Sequence, residues 1–172
     1  NFSKFKNKIT YIIVEDMPTN LKFYKKNWPV HHLRDQHQRN ALARGYDNSS
    51  DDDLIMISDI DEIPDPEKIK IFNIKNKYAC FIQKNFQSKI NLLNISDKYW
   101  MGTKIIKRKY LKSPQWLRNI KTIKPSFWKF YKPRQPQLIY DGGWHFSFLK
   151  NPKGISKKIQ SFAHSEFNKS IY

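Results

Sequence analysis

The chain has a single cysteine, Cys80, so no internal disulfide can staple the fold. A lone thiol fits a reducing compartment. No apolar run approaches the ~20 residues that a membrane span needs, and no signal-peptide pattern is visible. Glycine is scarce, five in 172 residues, and none lies in a GxGxxG or Walker A loop. HExxH, paired CxxC and Gly-x-Ser-x-Gly are missing too, so zinc-hydrolase and serine-hydrolase chemistry have no support.

Acidic residues run out along the chain. Residues 1–67 hold 9 Lys/Arg and 12 Asp/Glu, whereas residues 68–172 hold 23 and 3. The second stretch is therefore an electropositive wall for a nucleotide diphosphate or a nucleic acid, or a set of solvated lysines. Lysines outnumber arginines 26 to 6. Base-reading surfaces lean on the arginine fork, so no sequence-specific nucleic-acid partner is expected. After Glu67 the only carboxylates are Asp97, Asp141 and Glu166, and a downstream carboxylate base must be one of them.

What is present describes a packed globule: 39% hydrophobic and 15% aromatic residues. The length suits one domain, residues 1–172. It begins at Asn1, with a strand pattern already under way by Ile9, so a piece of a longer domain is expected. Strand patterns cover residues 8–14, 54–58, 78–82, 90–93, 103–106, 137–140 and 144–149. Helix patterns cover 33–44, 65–76, 114–121 and 153–163, with loops at 19–32 and 122–136, the second placed to cover a site. The alternation predicts an α/β class.

Residues 54–57 are a four-residue apolar run, followed by Ser58, Asp59, Ile60 and Asp61. The run reads as a strand buried on both faces of a parallel sheet. Two carboxylates at i and i+2 on an extended chain point the same way and make a seat for Mg²⁺ or Mn²⁺. Strand carboxyl ends are where open α/β sheets bind ligands. The plainer alternative is a solvated acidic turn.

Asp141 precedes Gly142 and Gly143, where missing side chains let a ligand approach the backbone; a tight-turn role is the alternative. Alternation puts Trp144, Phe146 and Phe148 on one side and His145 and Ser147 on the other. His145 is thus a candidate third metal ligand or phosphate contact, or else structural.

Gln38-Arg39-Asn40, Ser58-Asp59-Ile60-Asp61-Glu62-Ile63-Pro64, Trp100-Met101-Gly102, Gly143-Trp144-His145-Phe146-Ser147 and Ser161-Phe162-Ala163-His164-Ser165-Glu166 occur in that order. Together they resemble glycosyltransferase family 17, the β-1,4-mannosyl-glycoprotein 4-β-N-acetylglucosaminyltransferases, over almost the whole chain. The resemblance implies a GT-A type nucleotide-diphospho-sugar transferase, with a Rossmann-like, mostly parallel sheet and flanking helices. It implies inverting transfer of a sugar, GlcNAc first, from a UDP-sugar donor to a glycan acceptor, with Mn²⁺ or Mg²⁺. Asp59 and Asp61 match the DxD, and His145 the C-terminal histidine on the same metal. Asp141 first and Glu166 second are the candidate bases. Arg39, Trp100, Gly102 and Trp144 join the two aspartates as candidate nucleotide-sugar contacts, and Trp128 is a further candidate for sugar stacking.

Family members usually open with a further strand and helix, absent here. Residues 1–172 hold no apolar run like the membrane anchor of the animal enzymes, and the expected location is cytoplasmic, free or at a membrane surface. Two rivals stand beside this reading. A haloacid-dehalogenase-like phosphotransferase shares the strand-DxD pattern, but lacks here the Thr or Val after the second Asp and the late acidic pair. A non-catalytic basic module would hold nucleic acid or an anionic surface.

Overall fold

The computed structural model describes residues 2–18, 30–123, 128 and 134–160. Six strands among them form one sheet: β1 (Leu54–Ile57), β2 (Glu62–Pro64), β3 (Tyr78–Gln87), β4 (Tyr99–Lys107), β5 (Gln137–Ile139) and β6 (Gly143–Ser147). The order is β1-β4-β3-β6-β2, with β5 beside the first half of β3.

The expected mostly parallel sheet is corrected to a mixed one. β1/β4, β3/β4 and β2/β6 are antiparallel; β3/β5 and β3/β6 are parallel. The reason is local. β3 and β4 are joined by the short segment 88–98, which only an antiparallel pair can use, whereas parallel neighbours need a long crossover. β1 is correspondingly not a central strand. It lies at one end of the order, and Leu54 is exposed while Ile57 is buried.

The long strands of apolar and β-branched residues form because both their faces are covered. Tyr78 and Ile106, paired across β3 and β4, pack with Ile57, Leu111, Leu117 and Ile120. Their neighbours Ala79 and Ile105 turn the other way and pack with Phe72, Phe81 and Ile139. Each large aliphatic or aromatic side chain so buried contributes about 1.5–3 kcal/mol.

Helix α2 (Pro66–Ile69) covers the second cluster through Ile69. Its start is as expected: Asp65 caps it by accepting from the Glu67 N–H, with Pro66 in the first turn. It ends early, before the separate 3-10 turn Ile74–Asn76. Helix α3 (Pro114–Asn119) lies on the first cluster through Leu117, capped by Ser113.

Helix α1 (Val30–Ala41) continues as a 3-10 turn, Leu42–Gly45. It begins earlier than the pattern suggested, so His31 and His32 are helical rather than in the expected loop. It docks on α3, where Asn40 Oδ1 accepts from the Gln115 N–H. Helix α4 (Pro152–Gln160) follows β6. The rest of the last helix pattern, and most of the two expected loops, lie outside the described residues.

Two strand patterns fail. Residues 8–14 form none, and Ile9, Tyr11 and Ile13 are 53%, 83% and 64% exposed. Alternation alone makes no strand without a neighbouring edge to bond to. Residues 90–93 form only a bridge between Leu93 and Phe86, because they sit in the β3–β4 connection. Trp100, Met101 and Gly102, outside the expected strand 103–106, lie inside β4, with a register shift beside them between Cys80 and Ile82.

Candidate functional site

The DxD is on a turn, not on extended chain. The Glu62 N–H donates to the Asp59 carbonyl, and Ile60 is fully exposed at the tip. The two carboxylates consequently meet different partners. Asp59 accepts from Arg39 on α1 (3.3 Å) and from Arg118 on α3 (2.9 Å). Asp61 faces His145 Nε2 at 3.7 Å and Lys158 Nζ of α4 at 3.9 Å.

Glu62 joins these pieces. Its side chain is wholly buried. Its oxygens accept a bidentate fork from Arg118 (2.8 and 3.0 Å), the Trp100 indole N–H (2.9 Å) and the Asp59 backbone N–H (3.1 Å). A buried carboxylate is tolerated because every bond here is made, three of them to donors on other elements. Burial by itself would lower the Arg118 pKa, but the hydrogen bond and charge of Glu62, with Asp59, reverse this and raise it.

β4 adds a strut. Lys104 is buried, and its Nζ donates to the carbonyls of Arg118 (2.6 Å) and Ile120 (2.5 Å) at the end of α3. Burial lowers its pKa to about 8. The Gly102 carbonyl accepts from Arg118 as well. A Cβ at Gly102 would sit 1.7 Å from Gln83 Oε1, so the missing side chain makes room for Gln83.

On the neighbouring strands Glu62, His145 and Asn85 stand side by side in register, and Trp100 stacks on His145 with ring centroids 4.2 Å apart and planes 10° apart. His145 is buried, and burial lowers its pKa. The opposite sides of the same strands carry Tyr99, Lys84, Trp144 and Ile63, again in register.

The expected residues therefore divide. Arg39, Asp59, Asp61, Trp100, Gly102 and His145 come together. Trp144 is on the opposite side of β6 from His145. Asp141 sits on the exposed turn between β5 and β6, at φ 48°, paired with Lys84 Nζ at 3.4 Å. Gly142 and Gly143 do not open a ligand path: Cβ atoms there would lie 2.8 Å from Phe81 Cβ and 2.2 Å from the Ile63 carbonyl. Their smallness lets β6 approach β2 and β3. Glu166 and the segment around it lie outside the described residues, and Trp128 is exposed.

Among the described residues, no three His, Cys, Asp or Glu side chains are grouped to hold a metal ion. Asp61 and His145 supply a pair of donors whose spacing suits one cation, and Asp59 is turned to the two arginines. The Asp61 carboxylate suits a hard ion such as Mg²⁺ or Mn²⁺, which takes one or two carboxylates and completes its shell with phosphate oxygens and water, whereas the imidazole is the softer donor of the pair.

Glu62, Arg118, Asn85, Lys104 and Lys158 were not singled out from sequence. A signal existed for two of them. Arg118 is one of only six arginines in a lysine-rich chain, and an arginine kept there suits a bidentate partner. Lys104 interrupts the apolar run of β4, and a lysine in such a run must find buried acceptors.

The model of glycosyltransferase family 17 matches residues 1–171, and the chain belongs to that family. No curated protein and no solved structure matches it. Family membership makes it a glycosyltransferase, with a sugar donor and an acceptor. No helix among the described residues is long and apolar enough to cross a membrane.

Proposed function

We propose that the chain moves a sugar, GlcNAc first, from a UDP-sugar to a glycan acceptor, with inversion, on a GT-A type site that uses Mn²⁺ or Mg²⁺. The observation that carries this reading is the facing pair Asp61 Oδ1 and His145 Nε2, 3.7 Å apart, beside a turn held by two arginines. Asp61 and His145 would hold the ion, with Asp59 beside it. When bound, the ion supplies Lewis-acid stabilisation of the diphosphate leaving group.

The protein's own part is to place charge. Arg39 and Lys158 are partly exposed and flank the two aspartates, where phosphate oxygens would arrive. Arg118 is committed to Glu62 and keeps the turn in place. Trp100 serves as the wall of His145. Asp141 and Glu166 remain the candidate bases for the acceptor hydroxyl, and Asp141 would need the acceptor to reach the β5–β6 turn.

Calorimetry of UDP-GlcNAc with and without Mn²⁺, on this chain and on Asp61→Ala, tests the reading. Metal-dependent binding that the substitution abolishes is the expected result. Equal binding without metal, or by the variant, would sink the metal-dependent mechanism.

A further inference from the structure

Asn85 is buried in β3, next to His145 of β6. Its backbone is tied on both sides: the N–H donates to the Lys98 carbonyl, and the C=O accepts from the Asn94 N–H. The side chain then has little freedom. Its Nδ2 donates to the Asp97 carbonyl at 2.9 Å. A backbone carbonyl only accepts, so the amide nitrogen must face Asp97 and the amide oxygen must face the other way.

That oxygen, Oδ1, lies 2.9 Å from His145 Nδ1. An amide oxygen also only accepts, so Nδ1 must carry the hydrogen. In neutral imidazole the second nitrogen is then a bare lone pair. Asp61 Oδ1, itself an acceptor, lies 3.7 Å from this nitrogen. Two acceptors facing each other across such a gap repel unless something positive lies between them. The ring cannot swing away, because Trp100 stacks on it and is anchored by its own bond to Glu62.

We infer that Asn85 is the positioning residue of His145: it holds the ring as its Nδ1–H tautomer and aims the Nε2 lone pair at Asp61. The value of this arrangement to the enzyme rests on the metal-dependent reading above. A histidine that binds a cation through one nitrogen commonly has its other N–H held by a protein acceptor, which sets the tautomer and the ring direction. Here the chain of command runs from the Asp97 carbonyl to the Asn85 amide to the ring. Neither Asp97 nor Asn85 was a candidate ligand.

The test is ¹⁵N-histidine NMR of the metal-free protein in mildly alkaline buffer, with His145 assigned by loss of its signals in His145→Gln. Wild-type protein is expected to show the Nδ1–H tautomer. Asn85→Leu removes the acceptor, and the ring is expected to move toward Nε2–H, donating toward Asp61. Calorimetry with Mn²⁺ is expected to show a loss of about 10–100-fold in affinity, the usual effect of removing such a partner. Asn85→Asp keeps an acceptor and is expected to keep the tautomer, which a purely structural role for Asn85 does not foresee.

An Nε2–H or doubly protonated ring in the wild type overturns the inference, and this arm needs no variant to fold. An unchanged tautomer in Asn85→Leu overturns it as well. Nδ1–H in the wild type together with no Mn²⁺ binding supports the role of Asn85 and overturns the metal reading, so the two failures are distinguishable.

Discussion

At the scale of single residues, the site depends on buried ionic groups that have no spare partners. Glu62→Gln would remove the charge that neutralises Arg118 and leave one Arg118 N–H facing an amide. Breaking a buried pair from one side costs about 3–5 kcal/mol, and a loss of that order is expected in urea unfolding. The Arg118→Lys variant keeps the charge but not the fork, and is expected to be destabilised too. Lys104 gives a pH signature. Its folded pKa, lowered by burial to about 8, lies below the ordinary 10.5. Between those values the unfolded chain holds the proton and the folded chain does not, so this group makes stability rise with pH. Cys80 works against it: burial raises its pKa from 9.0 to about 11, so the folded chain keeps a proton that the unfolded chain loses. Its contribution is present below pH 9 and fades toward 11. In a Cys80→Ala background, stability is expected to rise above about pH 8, and adding Lys104→Met should flatten the rise. Denaturant midpoints across that range are the measurement.

At the scale of elements, three short pieces that look unrelated in sequence must lock together. The Asp59–Glu62 turn is held by α3, α3 is held by Lys104 of β4, and β6 brings His145 alongside β2. Gly143 is the tightest point. Its φ is 125° and a Cβ there would meet the Ile63 carbonyl, so Gly143→Ala is strained on both counts. We expect a loss of more than about 1 kcal/mol. Hydrogen exchange should quicken first in β2 and β6, and slower exchange in β1 than in β2 would show that the damage stays local. The N-cap of α3 offers a milder change. Ser113→Ala is expected to cost about 1 kcal/mol, and because α3 is only six residues long, with Arg118 in its last turn, it should also weaken donor binding in the same calorimetry.

At the scale of the whole molecule, charge is the dominant property. The chain carries +17. A diphosphate ligand would be drawn by the summed field, and the Debye length shrinks from about 30 Å at 0.01 M salt to about 3 Å at 1 M. UDP-sugar affinity is therefore expected to fall as salt rises, even with the metal saturated. Affinity that is flat across this range would show that only the immediate partners of the aspartates matter. The lysine excess also explains why arginine marks the site: Lys107 and Lys109 satisfy an exposed Asp52 as simple point charges, whereas Asp59 and Glu62 are held by guanidinium groups.

By itself the sequence determined the family, the acidic pair after an apolar strand, the capped start of α2 and the alternation that puts His145 opposite Trp144. These are local: a cap, a two-residue period and a short motif are decided by neighbours along the chain. Only the tertiary structure decided that the sheet is mixed, that residues 8–14 make no strand, and that the two aspartates face different partners. It alone brought Arg118, Lys104 and Asn85 to the site, from 59, 45 and 26 positions beyond Asp59. The physical reason is that a buried charge or amide is tolerated only where another element supplies its partner, and spacing along the chain does not say which elements will meet.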